Sequence, residues 1–237
     1  MKKSKKILVI KYGGSLMDNN KSNEKIIKNI KKLSGKNSVI VVHGGGRAIS
    51  KAMENAGIKP RFVKGLRYTD AKSVKIVRRV LEGLQKKIVK KLKSSIAITG
   101  ISYGKRIKKL GYVGKFEKAD TGAILSALKD DKICVLNCLG RNKKGVWLNM
   151  NADDVASGIA CSLKADKLIF FTNVSGVLDK TGRTISTINK RSIEKLIKEG
   201  AVSGGMIPKL QGCRKAISKG VKEINILSTD LKGTKIL

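Results

Sequence analysis

One histidine, His43, serves a chain of 237 residues. That count excludes histidine-rich metal sites. With no G-x-S-x-G turn to present a serine, it also argues against a hydrolytic triad. The four cysteines, Cys134, Cys138, Cys161 and Cys213, form no C-x-x-C pair and lack histidine partners, so they read as reduced, partly buried thiols. No G-x-x-x-x-G-K-[ST] run occurs, which excludes a P-loop, and no G-x-G-x-x-G, which excludes the common dinucleotide fingerprint. No apolar run nears membrane-spanning length. After the basic stretch from Met1 to Lys6, four apolar residues precede Lys11, too few for the apolar core of a secretion signal. A cytoplasmic protein with no membrane partner is expected.

Acidic residues are also scarce, 17 against 52 basic ones, for a net charge of +35. Ten of the basic residues are arginine, so 42 are lysine, spread along the whole length. Aromatic residues make up 4% of the chain. A nucleic-acid binder more often clusters arginine and lysine with aromatics between them. The expectation is therefore no nucleic-acid partner, and a general field that attracts small anions.

What is present begins at Ile7-Leu8-Val9-Ile10, an apolar run suited to a strand buried on both faces. Lys11 follows at its carboxyl end, then Gly13 and Gly14, where no side chain blocks approach to the backbone. A cation and bare N–H groups outside the end of a strand suit a phosphate. Periodicity predicts further strands at Val39–Val42, Ile96–Ile98, Ile133–Leu136, Lys167–Thr172 and Ile224–Leu227. It predicts helices over 23–33, 47–56, 121–128, 152–163, 192–199 and 206–219, and a long one capped by Thr69 or Asp70 and ending near Leu92. Short strands flank Gly65. Residues 102–114, rich in glycine and lysine, read as a hairpin over the sheet, and 141–145 as a turn. Strands alternating with helices predict an α/β fold, a three-layer αβα sandwich around a mostly parallel sheet. A soft boundary near residue 140 divides the chain into 1–140 and 141–237.

Four clusters carry candidate chemistry. Gly44-Gly45-Gly46 opens a helix directly after a strand, which is either an anion site or a close-packing turn. His43, just before it, reads as a packed strand-end residue. Asn149 and Asn151 point to one side in extended chain and suit a polar substrate, with Asn151 or Asp153 as a helix cap. Lys209, behind Gly204-Gly205-Met206-Ile207-Pro208, sits in the first turn of a helix. There it opposes the dipole at a cost of about 0.3–1 kcal/mol, so an anionic partner is expected. Arg67, beside Gly65, is either a surface arginine or a two-pronged carboxylate ligand.

Seven motifs occur in order along nearly the whole chain: Lys11-Tyr-Gly-Gly, Val42-His-Gly-Gly-Gly, Gly65-Leu-Arg-Tyr-Thr-Asp, Gly111-Tyr-Val-Gly, Asn149-Met-Asn-Ala-Asp, Thr172-Asn-Val-Ser-Gly-Val-Leu and Gly204-Gly-Met-Ile-Pro-Lys. Together they resemble the amino acid kinase family, with its carbamate kinase-like fold, and within it the acetylglutamate kinases of arginine biosynthesis. The resemblance implies phosphoryl transfer from ATP with Mg2+ to the side-chain carboxylate of N-acetyl-L-glutamate, in a homodimer. It implies Lys11 and Lys209 as stabilisers of the transferring group, with Asp153 holding both. Gly45 and Gly46 would offer N–H groups, and Arg67 and Asn149 would bind the amino acid. The nucleotide would lie against Asn173, Val174, Ser175, Gly176, Val177, Leu178, Ala201, Val202 and Ser203, with Gly13 and Gly14 by its phosphates and no protein ligand to the metal. Residues 1–140 would bind substrate and dimerise, and 141–237 would bind ATP.

The chain departs from the family at Asn173, where many relatives carry aspartate, and in a short 102–109 hairpin. Only Ser228 to Gly233 separate the last strand from the final segment, where relatives usually place a helix. The N-terminal helix of arginine-inhibited members has no counterpart, so feedback by arginine is not expected. Two rivals remain. One is an aminoadipate kinase acting on a carrier-bound substrate, whose relatives resemble N-x-D-G-D where this chain has Asn151-Ala-Asp153. The other is a non-catalytic basic binding protein, which retention of Lys11, Lys209 and Asp153 argues against.

Overall fold

The computed structural model describes residues 5–202, 204 and 206–237, so Ser203 and Gly205 of the sequence motifs lie outside the described residues. In chain order the elements are β1 (Lys6–Tyr12), α1 (Gly14–Met17), α2 (Asn20–Ser34), β2 (Asn37–His43), α3 (Gly46–Glu54), β3 (Phe62–Val63), β4 (Leu66–Arg67) and α4 (Ala71–Lys91). Next come β5 (Ser95–Ile98), β6 (Ser102–Arg106), β7 (Val113–Ala119), α5 (Gly122–Lys129), β8 (Ile133–Asn137), β9 (Leu139–Arg141), β10 (Trp147–Met150) and α6 (Ala152–Ser162). The chain closes with β11 (Lys167–Phe171), β12 (Thr187–Ile188), α7 (Ile193–Lys198), α8 (Met206–Ser218), β13 (Glu223–Leu227) and β14 (Gly233–Ile236).

The apolar runs become the middle of an eight-stranded sheet in the order β12-β14-β13-β11-β1-β2-β8-β5. Its pairs are parallel except β13 with β14. Alternate residues of each strand feed opposite cores. Val9, Ile40 and Val42 join the larger core with α4, α6 and α8, whereas Leu8, Ile10, Val39 and Val41 face the core under α2 and the end of α4. This is the three-layer α/β sandwich that the alternation predicts. Asp70 caps α4 by accepting the Ser73 N–H at 2.7 Å.

The 102–114 segment departs from its expected place. The hairpin forms, β6 against β7, but it closes a four-stranded barrel with β9 and β10 instead of lying over the sheet. β9 was not expected at all. Met150 of β10 fills the inside of the barrel, so the positions facing it on the neighbouring strands are glycine and those strands lack hydrophobic periodicity. A Cβ on Gly140 would lie 2.0 Å from Met150 Cε, and one on Gly104 would lie 2.6 Å from the Lys115 carbonyl oxygen. The barrel rests on α6, where Phe116 occupies the space a side chain at Gly158 would need.

Two buried polar groups pin the strand ends below the site. Gln85 of α4 donates to the Ile98 and Val135 carbonyls at 3.0 and 2.7 Å, and accepts from Thr99 and Asn137, each at 2.9 Å. His43 is fully buried, as expected of a packed strand-end residue. Its Nδ1 donates to the Gly44 carbonyl at 3.0 Å, while Nε2 has no partner among the described residues. Burial lowers its pKa to about 4, against a smaller opposing effect of the Gly44 carbonyl. Above pH 6.5 both folded and unfolded states hold the ring neutral. Below it the unfolded chain takes up a proton that the folded chain refuses until about pH 4, so stability falls across that window. The expected loss between pH 7 and 5 is about 2 kcal/mol in urea titrations, and His43→Gln is expected to remove that slope. An unchanged slope in the variant would refute the assignment.

Candidate active site

Lys11 stands at the carboxyl end of β1, between Val42 of β2 and Phe170 of β11. Asp153 stands in the first turn of α6, whose cap is Asn151, its side chain accepting the Asp153 and Asp154 N–H groups at 2.7 and 3.3 Å. Lys209 stands in the first turn of α8, one residue after Pro208, whose missing N–H is tolerated there. These three residues, up to 198 positions apart by number, meet. Lys11 Nζ lies 2.9 Å from Asp153 Oδ1, and Lys209 Nζ donates to Oδ2 at 2.5 Å. The first contact is an ion pair by distance, and Oδ1 accepts no hydrogen bond among the described residues.

All three side chains are largely sheltered, 16% to 29% exposed. Burial pushes the Asp153 carboxyl up, but the two ammonium groups together outweigh it and hold the group below the usual carboxylate range. Lys209 also lies over the Phe170 ring, 4.8 Å from its centroid. The anionic partner that its unfavourable place on the α8 dipole demands is thus Asp153.

From this cluster a cleft of about 830 Å³ opens, lined by Lys11, Gly14, Gly44, Gly45, Gly46, Arg67, Asn149 and Asp153. Lys209 is not on its wall and lies across Asp153 from it. The glycine turns after β1 and β2 touch each other. A Cβ on Gly14 would lie 3.0 Å from the Gly46 nitrogen, and one on Gly45 would lie 2.9 Å from Leu84 Cδ1. At Gly45 the bare Cα therefore serves packing, whereas the space around Gly46 is open to the cleft.

Arg67 is not the surface arginine it resembled alone. It is 7% exposed. Its Nη2 donates to the Gly46 carbonyl at 2.7 Å and to Ser50 Oγ at 2.9 Å, and its guanidinium stacks over Phe62 at 4.6 Å. Nη1 also reaches Met53 Sδ at 3.6 Å, and Nε has no acceptor among the described residues. Asn149 Nδ2 donates to Thr69 Oγ1 at 3.1 Å, and that hydroxyl donates to the Arg67 carbonyl at 2.9 Å. Thr69 thereby ties the two polar walls together.

The residues expected around a nucleotide divide. Asn173 and Ser175 line a separate depression of about 510 Å³ at the ends of β11 and β13, with Thr229, Asp230 and Lys232. Gly13 lies beside the cluster, its Cβ position 3.5 Å from Lys11 Nζ. Val174 and Leu178 are exposed, while Val177 and Val202 are core residues whose side chains face inward. Gly176 has φ +122, and a side chain there would strike Thr234. Ala201 is half-buried. Ser50, Phe62 and Cys138 are among the cleft residues that the sequence reading missed. Ser50 and Gly46 are one helical turn apart on α3, a spacing that makes the pair findable. The Cys138 thiol is buried, and its pKa is pushed up to about 12, so it is an inert wall.

The model of the amino acid kinase family matches residues 6–228. This chain belongs to the amino acid kinase family. Among named relatives of this family member, the acetylglutamate kinase of Endomicrobium trichonymphae is 35% identical over 245 residues, spanning 97% of this chain and 98% of that one. The crystal structure of smu.665 from Streptococcus mutans UA159 superposes with a TM-score of 0.84 at 32% identity, over 97% of this chain and 98% of that chain. The carbamate kinase of Giardia lamblia bound to AMP-PNP shares the fold, with a TM-score of 0.74 at 17% identity over 98% of both. The kinase family is thus established by sequence, and the sandwich by shape.

Proposed function

We propose that this family member is an acetylglutamate kinase, an ATP-dependent phosphotransferase that converts the side-chain carboxylate of N-acetyl-L-glutamate to an acyl phosphate. The observation that carries the reading is the convergence of Lys11 and Lys209 on Asp153 at the end of a cleft walled by Arg67 and Asn149. The acceptor is already ionised at neutral pH, so no base is needed. A carboxylate oxygen forms a bond to the γ-phosphorus, the bond to the β,γ-bridging oxygen breaks, and ADP leaves with that electron pair. What the protein must supply is alignment and positive charge around the equatorial oxygens. Two ammonium groups on opposite sides of one carboxylate are held ready for that task. The N–H of Gly46 and the turn at Gly13-Gly14 add donors.

Arg67 and Asn149 would grip the amino-acid end of the acceptor, and the depression at Asn173 and Ser175 would take the nucleotide. Asp153 is committed to two lysines, and no group of three His, Cys, Asp or Glu suited to a metal occurs among the described residues. Mg2+ would therefore be carried in by the phosphates, whose charge it offsets. On this reading residues 1–140 bind the acceptor and form a homodimer contact, 141–237 bind ATP, and the enzyme works in the cytoplasm.

The test is an acyl-phosphate trap with hydroxylamine, ATP, Mg2+ and N-acetyl-L-glutamate, with product expected only when all are present. Product solely from a carrier-bound acceptor would replace this reading with the aminoadipate one. No product with either, together with salt-dependent DNA binding, would favour a non-enzyme. Arg67→Lys is expected to raise the acceptor KM about 100-fold, with a smaller change in kcat, because a point charge cannot replace a two-pronged donor held over Phe62. An unchanged KM would remove Arg67 from the binding wall.

A further inference from the structure

Behind the two glycine turns lies a second cavity, of about 640 Å³ and open on one side, walled by Tyr12 of β1 and by α1, α2, α3 and α4. Met17, Ala48, Leu84 and Ile88 give it an apolar side, beside Tyr12, whose hydroxyl donates to Asn23 Oδ1 at 2.5 Å. Its rim is cationic. Leu84, Lys87, Ile88 and Lys91 recur at the three- and four-residue spacing that puts them on one face of α4, with Lys90 beside them. Among the described residues none of the three lysines is in an ion pair. Asp18, across the cavity on the α1 side, is the one carboxylate on its wall, so three positive charges face one negative.

This cavity shares walls with the catalytic cleft. Leu84 is the side chain that a Cβ on Gly45 would strike, at 2.9 Å. Ala48 belongs to α3, whose Gly46 and Ile49 line the cleft from the other side. Met17 ends α1, the helix that starts at Gly14 and so at the contact with Gly46. A ligand in the cavity would therefore touch residues that back both glycine turns. Packed interfaces of this kind transmit small displacements instead of absorbing them.

We infer that this cavity is a second binding site, for an organic anion with an apolar body: a carboxylate, sulfonate or phosphate ester whose charge sits among Lys87, Lys90 and Lys91. Its occupancy alters ATP affinity through the Gly14 and Gly45 turns. The inference does not depend on which acceptor the enzyme phosphorylates.

The probe is 8-anilinonaphthalene-1-sulfonate, titrated by fluorescence into the full-length protein with and without saturating ATP and Mg2+. Binding is expected to persist with nucleotide present. It is expected to weaken at least about tenfold both in Lys87→Ala/Lys90→Ala/Lys91→Ala and in the cavity-filling Ala48→Phe. The lysine variant, which alters only exposed or rim positions, is expected to keep the wild-type melting temperature and turnover. By calorimetry, saturating dye is expected to change the ATP dissociation constant at least about twofold in the wild type and not in the lysine variant. Equal dye affinity in wild type and the lysine variant would overturn the site. Full displacement of the dye by ATP would put it in the catalytic cleft and overturn the site too. Dye binding that leaves the ATP constant unmoved would overturn the coupling.

Discussion

Lys209→Ala is expected to lower kcat about 10²–10³-fold while leaving the acceptor KM within a fewfold of wild type. The magnitude follows from removing one preorganised cation that meets charge only as it develops, worth about 3–4 kcal/mol in a sheltered site. The split follows from position. Lys209 pairs with Asp153 but does not line the cleft that holds Arg67 and Asn149, so on the proposed reading it would meet the transferring group and not the amino-acid end. Lys11→Ala is expected to lose a similar factor, but with a larger rise in acceptor KM, because Lys11 does line the cleft. Folding is expected to survive both, since in each variant Asp153 keeps its ion pair with the remaining lysine. Near-normal kcat in Lys209→Ala would rule out its part in the reaction. A uniform rise in KM with kcat intact would make it a binding residue only.

The central sheet was legible because its strands are buried on both faces and are written as unbroken apolar runs, from Ile7 to Ile10 and from Val39 to Val42. The barrel was not. Gly104, Gly114 and Gly140 face Met150 on three of the barrel's four strands and carry no hydrophobic period, and β9 is three residues long. The two-residue strand β12 escaped for the same lack of pattern. At the site, charge in an unfavourable place was the readable cue. Lys209 on the positive end of a helix asked for an anion, and Asp153 answers it. Arg67 was ambiguous in sequence because its burial depends on Met53, Ser50 and Phe62, which adjoin it only after α3 and the β3–β4 hairpin fold together. Gly45 shows a further limit of sequence patterns. A glycine-rich turn looks alike whether it leaves space beside the backbone or admits a neighbouring leucine, and here Gly46 does the first and Gly45 the second.

Asp153→Asn separates alignment from binding. With the carboxylate gone, two ammonium groups face each other across a neutral amide. At roughly 4–6 Å their repulsion is about 3–4 kcal/mol at an effective dielectric of about 20. They are expected to spread apart, and kcat to fall by at least about 100-fold, as far as for either lysine alone. Losses from groups that act as a unit do not add, so Asp153→Asn/Lys209→Ala is expected to be little worse than either single change. The nucleotide responds in the opposite sense. Freed from Asp153, the lysines have no anion until a triphosphate arrives, so the ATP dissociation constant is expected to stay equal or become tighter as turnover collapses. That pattern is what ground-state stabilisation produces: charge spent on the substrate is no longer reserved for the transition state. Because the two lysines hold the carboxyl below its usual range, the wild type should keep this alignment down through mildly acidic pH, losing it only as Asp153 protonates. If Asp153→Asn instead weakens ATP binding tenfold or more, the carboxylate serves the nucleotide or its metal directly. The two lysines would then need another explanation for meeting there.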